Sequence, residues 1–86
     1  MRKQEFLDRL KKEKLNMGEY ILVLDSITDE SLVIGCAFDQ GMWKVYKTRE
    51  RGGHYIILET PDEHEAFNLL YELILSRHNR LKENYS

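Results

Sequence analysis

The 86-residue chain has one cysteine and one proline. A lone Cys36 excludes an internal disulfide and a cysteine-built metal site. No run approaches the roughly 18 apolar residues of a membrane helix, and MRKQEFLDRLKKEK at the start lacks the apolar stretch of a signal peptide. The cytoplasm is therefore the expected compartment, and no membrane contact is expected. There are no repeats, low-complexity tracts or linkers, so residues 1–86 are expected to form one domain. A net charge of −2 offers no global attraction to nucleic acid.

Chemistry-bearing groupings are equally scarce. His54, His64 and His78 fall on no HxH or HxxxH spacing, so no metal is expected. Ser26, Ser31 and Ser76 lie in no nucleophile-elbow context. Cys36 alternates with Ile34 and Phe38, which marks a core position for a small hydrophobe. We expect neither an enzyme nor a cofactor.

What remains is a globular composition, 42% hydrophobic and 33% charged. Phe6, Leu7 and Leu10 predict a short amphipathic helix from about Lys3 to Lys14, with Asn16-Met17-Gly18 as its stop. The apolar run Tyr20–Leu24 is too short for periodicity to decide whether it is a strand. Leu32, Ile34, Cys36 and Phe38 alternate with Val33, Gly35 and Ala37, predicting a strand with one face of large residues and one of small ones. Asp39-Gln40-Gly41 reads as a hairpin turn, Gly41 supplying a positive φ.

Trp43 and Val45 are expected to point inward from the next strand, with Met42, Lys44 and Tyr46 outward and Lys47 snorkelling at the rim. A third strand over Tyr55–Glu59 is expected to turn Ile56 and Leu58 to the core. Thr60-Pro61-Asp62-Glu63 combines an N-cap, a first-position proline and a capping box, so a long helix is predicted from Pro61 to about Leu81. Its apolar residues, Ala66, Phe67, Leu70 and the Leu69–Leu73 ladder among them, sweep over half the circumference. It must be covered on two sides or leave Tyr71 and Leu75 exposed. The expected fold is α+β: helix, antiparallel meander of three strands (four if Tyr20–Leu24 joins), long helix.

Function is expected at the stretch WKVYKTRERGGHY. Arg49, Glu50, Arg51 and His54 surround the pair Gly52-Gly53 in a turn that leads into a strand, the wrong context for a phosphate-cradling loop. A solvated turn or a recognition turn for a protein partner fits better. If its role is structural, Arg51 is expected to pair with Glu50 or Glu59; if its role is recognition, it is expected to contact the partner. Helix–three strands–helix is also the order of the double-stranded-RNA-binding domain, which needs a basic start to its last helix; Asp62, Glu63 and Glu65 stand there instead.

Trp43, Val45, Tyr46, Glu50, Arg51 and Gly52, preceded by Gly41 and followed by Glu65-Ala66 and the leucine ladder, resemble a family of small immunity proteins of bacterial polymorphic toxin systems (immunity protein family 59). The resemblance covers roughly Tyr20 to Ile74. It implies a cytoplasmic antitoxin that binds one cognate toxin domain and blocks it by occlusion. Tyr46, Arg49, Glu50, Arg51, His54, Asp62 and Glu63 are then the candidate contacts. Gly41, Trp43, Val45, Gly52, Gly53, Thr60, Pro61, Ala66, Phe67 and Leu70 form the structural frame.

Overall fold

The computed structural model describes residues 1–84. Their elements are α1 (Lys3–Glu13), β1 (Ile21–Leu24), β2 (Val33–Asp39), β3 (Met42–Thr48), β4 (His54–Thr60) and α2 (Glu63–Asn84). The sheet order is β1-β2-β3-β4. β2, β3 and β4 form the expected antiparallel meander. The optional fourth strand is present, but β1 pairs with β2 in parallel, Ile21 opposite Val33 and Leu24 opposite Cys36, so the sheet is mixed.

That parallel pairing demands a crossover, and residues 25–32 make one shorter than the dozen or so residues usual for it. The crossover turns sharply at both ends, where Asp25 (φ 74°) and Leu32 (φ 56°) take left-handed conformations without being glycine. Leu32, expected to begin β2, is thereby a corner residue.

α2 lies across β2, β3 and β4. Ala66, Phe67, Leu70 and Ile74 are buried there against Ile34, Cys36 and Val45, and Phe6 of α1 joins the same core. The Phe67 ring meets Phe6 at 5.3 Å and Trp43 at 5.5 Å, both in the inclined geometries that aromatic pairs favour. The inward orientation of Trp43 and Val45 is as expected. Burial in this core pushes the Cys36 thiol up to about 12, which makes it an inert filler.

α1 runs in the same direction as α2. The Lys3 amide donates to Glu63 Oε2 (3.0 Å) at one end, and the Asn16 amide donates to His78 Nδ1 (2.9 Å) at the other. Tyr71 is half-buried between the two helices, its hydroxyl donating to Glu13 and its ring under the Arg9 guanidinium at 4.6 Å. The wide apolar arc of α2 is therefore covered on two sides.

Four local expectations shift. α1 keeps its expected bounds, but Lys14 (φ 51°) rather than Gly18 takes the left-handed conformation that ends it. α2 begins at Glu63, with Asp62 as its cap: Asp62 Oδ1 accepts the His64 amide at 2.9 Å. Thr60 is held in the β4 ladder opposite Trp43, so the backbone cannot turn helical there, and its hydroxyl accepts the Asp62 amide instead. Pro61 therefore precedes the helix, which runs past Leu81 to Asn84.

The third strand keeps Leu58 on the core side opposite Val45, but a β-bulge sets Ile56 opposite Tyr46 on the other face. One extra residue, Ile57, reverses the alternation, and Ile56 leaves the core. Phe38 keeps the face predicted for it, resting on Trp43 at 5.1 Å, yet it is 57% exposed. Because one ring joins both helices and the sheet, Phe67→Ala is expected to lower stability by about 3–5 kcal/mol in urea denaturation. A loss under about 1 kcal/mol would show that the helices do not share one core.

Candidate functional site

The hairpin Gln40-Gly41, both at positive φ, is a two-residue connection of the type that twists with its strands. It fixes the β2–β3 register, which sets Tyr46 opposite Gly35. Tyr46 points away from the helices and is fully buried. Its ring lies against Gly35, where a Cβ would come within 2.6 Å of the ring and 2.4 Å of the Val23 carbonyl oxygen. The Tyr46 hydroxyl donates to the Ser26 carbonyl at 2.8 Å, and burial raises its pKa. Tyr46 is thus an anchor for the crossover and presents no surface to a partner.

The β3–β4 turn is tied to the same crossover. The Gly53 amide donates to the Asp29 carbonyl at 2.9 Å, and the His54 amide donates to Asp29 Oδ1 at 2.9 Å. The His54 ring stands 2.5 Å from the same carboxylate oxygen. Both glycines sit at φ 88°, and a Cβ on Gly52 would lie 2.9 Å from the Asp29 carbonyl. The Gly-Gly pair therefore serves a close backbone approach, and Asp29 is the residue that organises the turn. Nothing local in the sequence marks Asp29 as that partner, because it lies 25 positions from His54.

Arg49, Glu50 and Arg51 project from this fixed turn and are exposed. Arg49 stacks on Tyr55 at 5.0 Å. Arg51 forms no ion pair among the described residues, with Glu50 or with Glu59, so the structural pairing is absent; Glu59 lies beside Lys44 at 3.7 Å. Asp62 and Glu63 are occupied in the capping and helix-tying bonds already described. The candidate contacts are thus split between the turn (Arg49, Glu50, Arg51, His54) and the far end of β4 (Asp62, Glu63), with Tyr46 inside.

Between those ends runs β4, an edge strand of seven residues without lysine or proline. Tyr55, Ile56 and Ile57 stand exposed along it at 39%, 37% and 37%. Beside it Leu58 and Leu69 floor an open groove of about 490 Å³ rimmed by Asp62, Glu65 and Glu72. The opposite edge, β1, has only four residues. The sequence shows the apolar run of β4, but only its place at the sheet edge leaves that run uncovered.

No protein-family model, curated protein or solved structure matches the chain. Among the described residues, no three His, Cys, Asp or Glu side chains gather to hold a metal, and no helix is long and apolar enough to cross a membrane.

The hydrogen bonds from His54 hold the Asp29 carboxyl below its ordinary 3.8. A depressed carboxylate contributes stability above its unfolded value and loses it as pH falls through the folded one. The staple between crossover and turn is therefore expected to be complete at neutral pH and to loosen only below pH 3.8. A carboxyl-resolved NMR titration that finds Asp29 at or above that value contradicts the pairing.

Proposed function

We propose that the chain is an immunity protein that binds a cognate toxin domain and blocks it by occlusion, with β4 as the strand it presents. The observation that supports this reading is the exposed apolar edge. Natural proteins blunt edge strands with charged side chains, proline, bulges, brevity or a cover, because unpaired backbone groups invite another chain. β4 has no lysine, proline or cover and is seven residues long; its bulge and Glu59 blunt it only in part, since the bulge leaves Ile56 and Ile57 exposed.

An edge of this kind accepts an extended segment by strand addition, in which backbone hydrogen bonds supply affinity and side chains supply selectivity. Glu59, Asp62, Glu65 and Glu72 line one end and the groove, so the fitting segment is apolar with lysine or arginine at its flanks. Arg49 and Arg51 at the other end then meet carboxylates of the toxin, where a guanidinium pairs in bidentate fashion. Of the residues that carry the immunity-protein resemblance, Tyr46 and Gly52 hold the crossover and turn and Trp43 and Val45 hold the core, while Glu50 and Arg51 stand exposed at the turn.

The test begins with the neighbouring reading frame, where a C-terminal toxin domain is expected, and proceeds to co-expression of the two and titration of the purified pair. Ile57→Lys is expected to keep the melting temperature and weaken binding by at least about 2 kcal/mol. Arg51→Ala, at an unpaired exposed side chain, is expected to change stability by no more than about 0.5 kcal/mol while also lowering affinity. Full affinity in Ile57→Lys overturns the edge as the binding strand. Failure of the chain to protect cells from that toxin overturns the immunity role.

A further inference from the structure

At the opposite side of the sheet, positive charge gathers around Tyr20. Lys47 Nζ stands 4.9 Å from the Tyr20 ring centre and the Arg77 guanidinium carbon 5.3 Å from it. The two cations thus lie no more than about 10 Å apart, within one Debye length at 0.1 M salt. Arg80 joins them in lining a recess of about 180 Å³ between β3 and the C-terminal half of α2, with Ser76 beside it.

None of these three cations takes part in an ion pair with a described side chain. The Arg77 Nε is sealed from solvent and has no hydrogen-bond partner. The guanidinium packs over Gly18, where a Cβ would stand 3.4 Å from Nε and Nη2. A buried, unpaired guanidinium N–H is costly, and so is a cluster of like charges in a chain whose net charge is −2. The like-charge cost falls if an anion occupies the recess.

We infer that this recess is a binding site for a phosphate group, held by Lys47, Arg77 and Arg80. Three positive charges suit a doubly charged tetrahedral oxyanion better than a single carboxylate, and the arginine fork matches its oxygens. The Ser76 hydroxyl adds a neutral donor. The recess is smaller than the roughly 300–1,000 Å³ of sites for drug-sized ligands, which favours phosphate or a small phosphomonoester over a nucleotide. The Tyr20 ring forms the apolar wall against which a short organic body can rest. Lys47 lies opposite Tyr55 in the β3–β4 ladder, so the recess adjoins the inner side of β4, but the phosphate site does not depend on the toxin-binding role.

Amide-resolved NMR of the whole chain, titrated with inorganic phosphate, phosphoserine and acetate at constant ionic strength, tests it. Phosphate is expected to give saturable shifts centred on Tyr20, Lys47, Ser76 and Arg77, and to raise the melting temperature as a native-state ligand does. Lys47→Gln and Arg77→Gln are each expected to weaken phosphate at least about tenfold. Arg51→Gln, on the exposed turn, is expected to leave it unchanged. Tighter binding of phosphoserine assigns the site to phosphomonoesters, and equal binding assigns it to the phosphate ion. Non-saturating shifts, equal affinity for acetate, or full affinity in a folded Lys47→Gln overturn the proposal. If Arg77→Gln fails to fold, Lys47→Gln decides alone.

Discussion

The Tyr46 ring rests on Gly35, and the face of the sheet away from the helices is built on that contact. A side chain on Gly35 would collide with both the ring and the Val23 carbonyl, so the ring and β1 can approach only because that Cβ is missing. With the ring seated there, its hydroxyl reaches the Ser26 carbonyl and fixes the start of the crossover. The Val33 amide donates to Thr48 Oγ1 at 2.7 Å and fixes the end. A crossover too short for the usual helix is held by side chains of β3 in its place, at the expense of two residues in left-handed backbone.

This arrangement also decides what the β3–β4 turn can do. Asp29, carried on the anchored crossover, binds Gly53 and His54, so the turn is tied down although its tip is exposed. Charged side chains on a rigid turn lose less freedom on binding than those on a mobile one. Arg49, Glu50 and Arg51 are presented under that condition. The helices serve the other face: the two run parallel, bridge through Phe6, Phe67 and Tyr71, and leave β4 as a long uncovered edge.

Charge is distributed against the mean. The chain is slightly acidic, yet Lys47, Arg77 and Arg80 converge at one side and Arg49 and Arg51 project at another, while Asp62, Glu65 and Glu72 rim the groove. Net charge therefore describes the chain's behaviour in bulk and says little about what any one surface attracts.

The sequence by itself determined the elements with local causes. Alternation from Val33 to Phe38, the Gln40-Gly41 hairpin and the apolar arc of α2 follow from periods of two and 3.6 residues and from backbone sterics, which need no partner. The inward side of Trp43 and Val45 followed in the same way. Only the tertiary structure decided the parallel direction of β1, because strand direction is set by which neighbour satisfies its backbone groups. It alone placed the bulge at Ile57, moved the helix cap from Thr60 to Asp62, and turned Tyr46 from a surface candidate into an anchor. The Asp29–His54 staple and the Tyr20 cation cluster join residues 25 or more positions apart. No local pattern encodes such pairs; they exist because a sheet and a helix bring distant segments within bonding distance.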